Sequence, residues 1–166
     1  MQILYDMDEK LIRLQKLVQM GKALKVKRLA EDLLEEEPGL PEAHMALGNM
    51  YEYHLQDYAR AASCYTMAIH FNDRLAVAWY ALMRVQFYLS DHMALLHTCE
   101  RALLITCVYK TIVYKHMALC HEEQLHLKRA QRCYELAQLY AMSDNDVDEN
   151  KRSVQRIKAK MDIKRE

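Results

Sequence analysis

The amino-acid sequence predicts an all-α fold built from helical hairpins, on three observations. Apolar residues recur at spacings of three and four along the chain, as at Leu29, Leu33 and Leu34, which is the helical period. Helix breakers are scarce, since both prolines and one of the three glycines stand in the segment EPGLP at 37–41. The third observation is a repeat of 34–35 residues, which makes each pair of helices one structural unit.

The first predicted hairpin covers about residues 7–40. Gly21 marks its turn, and Pro38 stands where its second helix should end. The apolar face of that second helix carries Val26, Leu29, Ala30, Leu33 and Leu34.

The repeat is read from two sets of aligned residues. The second helices carry a ladder spaced by four and three: Ala61, Tyr65 and Ala68; Leu95, Cys99 and Ala102; Ala130, Tyr134 and Ala137. The first helices carry a matching triplet: His44, Leu47 and Gly48; Trp79, Leu82 and Met83; Tyr114, Met117 and Ala118. These alignments predict repeats at about 41–75, 76–110 and 111–144 after the first hairpin.

These residues resemble the pattern of the tetratricopeptide-repeat (TPR) family over roughly residues 7–144. The family pattern is an aromatic, then leucine and a small residue, then tyrosine on the first helix, followed by alanine, an aromatic and alanine on the second. The resemblance implies a right-handed α-α superhelix of stacked helical hairpins, with residues 1–166 forming a single TPR-like domain. It also implies that the first helices line a concave, partner-binding wall.

Gly48 stands inside a helix, where glycine costs about 1 kcal/mol relative to alanine. The TPR resemblance implies that the small residue at this position faces the second helix of its own hairpin, so that the two helices approach closely. Ala118 would play the same part. Met83 departs from the pattern and predicts a wider or filled contact. The second repeat also has one extra residue near HLQD at 54–57, which predicts a longer turn.

Residues 146–163 predict a C-terminal capping helix. Val147, Val154, Ile157 and Met161 lie on one apolar stripe with charged residues elsewhere. A terminal repeat needs such a cover for its apolar face.

Composition sets the class of molecule. The 166 residues are 52% hydrophobic, with 23 basic and 23 acidic side chains, which is typical of a folded, soluble chain. Charge balance removes the broad attraction that non-specific nucleic-acid or anionic-membrane binding needs, although a local patch is compatible with it. Without an apolar run of about 20 residues or a signal-peptide pattern, we expect an intracellular protein, cytoplasmic or nuclear, with no membrane partner. The five scattered cysteines are interpreted as reduced and largely buried.

No motif predicts catalysis, and we expect no enzyme activity, cofactor or metal. HEEQLH at 121–126 has its histidines five residues apart, whereas the zinc-protease signature needs four. His116 and Cys120 could share a helical face, but a zinc site needs further ligands. His44 stands at the repeat position that Trp79 and Tyr114 occupy in the later repeats, which we call the aromatic slot, and this favours a packing role for His44.

The predicted binding site lies on the concave wall. Its candidate partner-binding residues are Asn49, Tyr80, Arg84, Phe87 and Lys115. Aromatic rings would anchor an apolar segment and the two cations would orient an acidic group. The alternative for the polar members is that they are solvated or pair with Glu52 and Glu122.

We therefore expect a non-catalytic scaffold or adaptor that binds a peptide or helix of a protein partner. A second hypothesis is an architectural subunit of a larger assembly, with contacts through convex faces and end caps, including self-association through end repeats. RNA binding is the third, and the neutral charge disfavours it.

Overall fold

A computed structural model describes the backbone of residues 2–164 and the side chains of residues 6–164. Over those residues the chain forms α-helices and no strand, which confirms the predicted fold class. The helices are α1 (Gln2–Gln19), α2 (Ala23–Glu36), α3 (Pro41–Tyr53), α4 (Tyr58–Phe71), α5 (Ala76–Tyr88), α6 (His92–Ala102), α7 (Lys110–Glu123), α8 (Leu127–Leu139) and α9 (Asp144–Ile163). None of them, within the described residues, has the length and apolarity to cross a bilayer.

The chain divides into two compact units, Met1–Val85 and Gln86–Glu166. In the first unit, α1 to α3 enclose one hydrophobic cluster, and α4 adds the fully buried ladder Ala61, Tyr65 and Ala68. The cluster consists of Leu14, Val26, Ala30, Leu33, Leu40, Ala43, Ala46, Leu47 and Met50. Packing of amphipathic faces, more than local propensity, therefore holds these helices together.

The second unit closes on the predicted capping helix. Val154 and Ile157 of α9 are buried against α7 and α8, and Met161 packs at the edge of the same cluster. Their neighbours are Ala118, Leu127, Ala130, Cys133 and Tyr134. Ser143 caps the start of α9 by accepting a hydrogen bond from the Asp146 amide at 3.2 Å.

The turns inside the four hairpins share one backbone feature. Gly21, Gln56, Ser90 and Leu125 have φ of +63°, +52°, +54° and +57°, and they recur at spacings of 35, 34 and 35 residues. Gly21 has nothing within 4 Å of an added Cβ, so its backbone conformation accounts for the glycine. The turn after α3 contains one residue more than the turns after α1, α5 and α7, as the extra residue near 54–57 predicted.

The aromatic slot of the first helices also repeats in three dimensions. His44 Nε2 donates to the Pro38 carbonyl at 3.0 Å, and Trp79 Nε1 donates to the Asp73 carbonyl at 2.8 Å, each six residues back. His44 is half-buried and stacks on Phe71, with ring centroids 5.6 Å apart. The slot therefore ties the start of a first helix to the loop before it, which supports a packing role for His44.

Candidate partner-binding groove

A close contact between Gly48 of α3 and Tyr65 of α4 helps to position the site. A Cβ added to Gly48 would lie 2.7 Å from Tyr65 Cδ1 and 3.0 Å from Cζ, and closer still to Cε1. Tyr65 is fully buried on α4, so its ring fills the space that a side chain on α3 would need. The prediction that Gly48 faces the second helix of its own hairpin is confirmed.

The Tyr65 hydroxyl belongs to a hydrogen-bonded network that includes the buried Glu52 carboxylate. It donates to Glu52 Oε2 at 2.7 Å, and Asn49 Oδ1 lies 2.9 Å from the same hydroxyl. Arg84 of α5 donates two hydrogen bonds to Glu52, from Nε to Oε1 at 2.6 Å and from Nη2 to Oε2 at 2.9 Å. The hydrogen bond to Glu52 raises the pKa of Arg84, and burial raises the pKa of Tyr65. Tyr65 therefore stays protonated as a donor, and Arg84 stays charged.

The second unit repeats this arrangement about 70 residues later. The Tyr134 hydroxyl donates to Glu122 Oε2 at 2.9 Å, and Arg156 of α9 bonds both Glu122 oxygens at 3.2 and 2.8 Å. Lys160 adds a bond to Glu122 Oε1 at 2.7 Å. Burial acts to raise the pKa of Glu122, but the hydrogen bonds from Arg156, Lys160 and Tyr134 outweigh it and lower the pKa to about 2.

The repeated glutamate–tyrosine–arginine set has a structural meaning. Each set joins the two helices of one hairpin and the helix that follows it, α5 after α3 and α4, and the capping helix α9 after α7 and α8. The Glu52 carboxylate is buried, so removal of Arg84 would leave its charge without a partner. Arg156 is half exposed, so solvent screens its pair with Glu122 more strongly. These contacts connect three consecutive helices within each unit.

A groove lies in the first unit between α1, α3 and the start of α5. Its first cavity has a volume of about 280 Å³ and is mainly apolar. The lining residues are Leu11, Leu14, Gln15, Val18, Gln19, Glu42, Met45, Ala46, Asn49, Leu75 and Val77. Met45 and Asn49, four residues apart on α3, thus both line this cavity.

A second cavity continues the first along α3. It also has a volume of about 280 Å³, and it shares Val18, Ala46 and Asn49 with the first cavity. Tyr53 and His54 line its far end. We call the two cavities together the first-unit groove. Apolar side chains form its walls, and Glu42 is the charged residue among those described along it.

The predicted site residues are not equivalent in the structure. Asn49 lies in the first-unit groove, while Arg84 is held by Glu52 and passes over the Tyr53 ring at 5.5 Å. Lys115 pairs with Glu149 of α9 at 2.9 Å. Tyr80 and Phe87 are both half-buried on α5. The positive charges of Arg84 and Lys115 are therefore already balanced by acidic neighbours.

Part of the groove could not be found from sequence reasoning. Leu11, Val18 and Gln19 of α1 contribute one wall, but α1 lacks the aromatic and the glycine that mark the other first helices. The signal that was available is the apolar spacing of Leu11, Leu14 and Val18 on one face of that helix.

The histidines of the segment 121–126 and the cysteines are the side chains that metal binding or nucleophilic chemistry would use. His121 lies in the last turn of α7 and His126 is the N-cap residue of α8, and their ring centroids are 6.1 Å apart. Among the described residues no three histidine, cysteine or acidic side chains are grouped closely enough to hold a metal ion. Burial raises the pKa of the Cys64 and Cys120 thiols to about 11, which suppresses their nucleophilic thiolate forms. Cys107 is the exposed exception to the predicted burial of the cysteines.

The stacked hairpins, the recurring turn and the repeated ladder define a TPR-like helical-repeat fold. Solved structures of the same fold include YrrB, described as a TPR protein with an unusual peptide-binding site, at 15% identity and a TM-score of 0.73, with 92% of this chain and 76% of YrrB covered. The Arabidopsis OM64 TPR domain is 20% identical with a TM-score of 0.58, and 70% of this chain and 93% of that domain are covered. MamA from Desulfovibrio magneticus RS-1, from residue 41 to its end, is 14% identical with a TM-score of 0.66, and 96% of this chain and 95% of that chain are covered.

The predicted TPR resemblance is thus confirmed at the level of the fold. No family model matches the chain, and no curated protein matches it in sequence.

Proposed function

We propose that the chain is a non-catalytic interaction module that binds a segment of a partner protein in the first-unit groove. Helical-repeat folds of this kind typically offer such surfaces to partners. The observation that carries the proposal is the pair of adjoining apolar cavities along α3, which Met45 and Asn49 line together with α1. Apolar grooves with a few polar groups are the usual form of a peptide-binding site.

The lining favours a particular kind of ligand. Leu11, Val18 and Met45 offer apolar contact along the groove, and Asn49 offers an amide to the ligand backbone. Methionine adapts its shape to different apolar partners, which suits a groove that receives a short segment. The ligand is therefore an amphipathic helix or extended peptide that inserts apolar side chains, at micromolar affinity, about 8 kcal/mol.

Contact of the partner with Tyr80, Arg84, Phe87 or Lys115 stays a prediction. Since Glu52 and Glu149 already neutralise the two cations, recognition of an acidic group there requires the ligand to share or replace those ion pairs. Apolar contact is the stronger part of the proposal.

A selection from a displayed random-peptide library tests this function. We expect selected peptides to be rich in apolar residues and to bind the wild-type chain. Met45→Glu places a charge in the groove and should weaken their binding at least about tenfold, a loss of about 1.4 kcal/mol. Met67→Glu makes the same substitution at an exposed position of α4 and serves as the matched control.

Two results would contradict the proposal. Peptides that bind equally well to Met45→Glu do not occupy the groove. Peptides or protein partners that are lost with Met67→Glu instead would favour the architectural-subunit hypothesis, in which the second helices carry the contacts.

A further inference from the structure

Basic residues cluster locally in the second unit although the whole chain is neutral. Residues 151–164, which cover the C-terminal part of α9 and its C-cap, contain six basic residues and one acidic residue, and residues 127–132 of α8 contain three basic residues and none that is acidic. The complete sequence has 23 of each. The other acidic residues of α9 lie at its start, at positions 144, 146, 148 and 149. Basic residues therefore predominate at the start of α8 and at the C-terminal end of α9, where a local field can act on a partner.

The structure brings the start of α8 and the end of α9 together around one cavity. Its volume is about 330 Å³, and its lining consists of Leu125, Leu127, Lys128, Met161 and Lys164. Leu127 is buried and Met161 is half-buried, whereas Leu125 and the two lysines are exposed. Arg132 lies one turn after Lys128 on α8, and Lys158 lies one turn before Met161 on α9, both exposed. We call these seven residues the C-terminal basic surface.

Arg156 and Lys160 do not belong to this surface. Both are engaged with Glu122, whose pKa they help to lower, so the two side chains are directed to that carboxylate, which neutralises one of their two charges. Arg132 pairs with Glu135, with Nη1 3.7 Å from Oε2. Lys128 and Lys164 line the cavity together with apolar side chains, and this combination matters for the choice of ligand.

We propose that the C-terminal basic surface docks an acidic segment of another protein that carries an apolar anchor residue. Lys128 and Lys164 pair with carboxylates on either side of the anchor, which enters the cavity between Leu125 and Met161. Charge complementarity selects the acidic segment and guides its approach.

Nucleic acid fits this surface less well. Binding of single-stranded RNA or DNA relies on aromatic side chains that stack with the bases, and the residues that line the cavity include no aromatic. An anionic membrane would satisfy the lysines, but it would not require a cavity that receives a single side chain.

Fluorescence anisotropy with the full chain tests the proposal. The probe is a short labelled peptide in which leucines are flanked by aspartates and glutamates. We expect saturable binding that weakens as salt rises from low to physiological ionic strength, because exposed charge pairs are screened. The same peptide with glutamine and asparagine in place of the acids should bind at least about tenfold more weakly.

Variants assign the binding to this surface. Lys128→Glu together with Lys164→Glu should raise the Kd about tenfold or more, and Lys128→Gln together with Lys164→Gln should have an intermediate effect. Lys16→Glu together with Lys22→Glu changes two exposed lysines of the first unit and should leave the Kd unchanged. Met45→Glu should also leave it unchanged, which separates this surface from the first-unit groove.

The proposal is overturned if the acidic peptide binds no better than its neutral version, or if the paired reversal leaves the Kd unchanged in a chain with normal helical content. It is also overturned if Met45→Glu abolishes the binding. Tighter, Lys128-dependent binding of oligouridylate or of phosphatidylserine vesicles would assign the surface to RNA or to membranes instead.

Discussion

The contact between Gly48 and Tyr65 gives the sharpest test of how the first unit is packed. Gly48→Ala adds one methyl group, which would lie 2.7 Å from Tyr65 Cδ1. The ring cannot easily move aside, because it is fully buried and its hydroxyl is bonded to Glu52. Either the two helices must separate or the hydroxyl must leave Glu52.

The magnitude follows from three opposing contributions. Over-packing a core typically costs about 1–3 kcal/mol. Loss of the Tyr65 hydrogen bond adds about 1 kcal/mol, and the better helix propensity of alanine offsets about 1 kcal/mol. Gly48→Ala should therefore destabilise the chain by about 1–3 kcal/mol, which lowers the Tm by about 2–12 °C for a chain of this size.

Far-UV circular dichroism during thermal and urea unfolding measures the effect. Gly39→Ala is the matched control, since its added Cβ would lie 3.4 Å from Phe71, an ordinary contact, and should change stability by less than about 0.5 kcal/mol. In a Tyr65→Leu background the cost of Gly48→Ala should shrink by at least about 1 kcal/mol, as coupled neighbours do. An unchanged or raised melting temperature for Gly48→Ala would refute the close approach.

Three further outcomes follow from the turns, the tail and the acid network. Gly21→Ala should destabilise the chain by about 1 kcal/mol and Gln56→Gly should stabilise it by about 0.5–1 kcal/mol, because both residues hold a positive φ. A urea midpoint that does not fall for Gly21→Ala, or does not rise for Gln56→Gly, would contradict this reading of the turns. Deletion from Asp146 onward removes α9 and should cause aggregation or self-association in light scattering, whereas a monomeric and equally stable truncation would contradict the capping role. Since the folded pKa of Glu122 is lowered from 4.5 to about 2, its stabilisation is present above pH 4.5 and is lost as the pH falls toward 2. Glu122→Gln should therefore flatten the decline of the urea midpoint over that range, and parallel declines would show that Glu122 is not the titrating group.

The repeat ladder predicted most of the packing correctly. Tyr65, Trp79, Ala102 and Tyr134 are buried as their positions in the repeat require. Tyr51, which stands at the tyrosine position of the family pattern on α3, is half-buried, and the Arg60 guanidinium lies 4.7 Å from the centre of its ring. Leu47 and Ala137 are buried as well. Of the predicted stripe of α9, Val154 and Ile157 are buried, whereas Val147 and Met161 are half-buried.

Ion pairs were harder to predict than burial. The sequence left open whether Arg84 would be solvated, would pair with an acidic neighbour or would meet a ligand, and the structure pairs it with Glu52. The partners of Glu122 come from α9, which lies outside the aligned repeats, so its register could not be derived from them. A long polar side chain can reach partners on several helices, and helical periodicity does not determine which acidic residue it pairs with.

The turns show a similar limit. Glycine marks the left-handed position only at Gly21, whereas Gln56, Ser90 and Leu125 adopt it without a glycine signal. Close hairpin packing overrides the local preference of these residues, at a cost of about 1–2 kcal/mol each. Sequence reasoning therefore located the turns through the helices on either side of them.

Hydrogen–deuterium exchange of the chain, with and without a peptide selected from the library, tests the proposed function most directly. Binding in the first-unit groove predicts slower exchange confined to α1 and α3, around residues 11–19 and 42–50, and no such protection in Met45→Glu. Protection confined to α2 and α4, or to α8 and α9, while α1 and α3 exchange as in the free chain, would contradict binding in the first-unit groove.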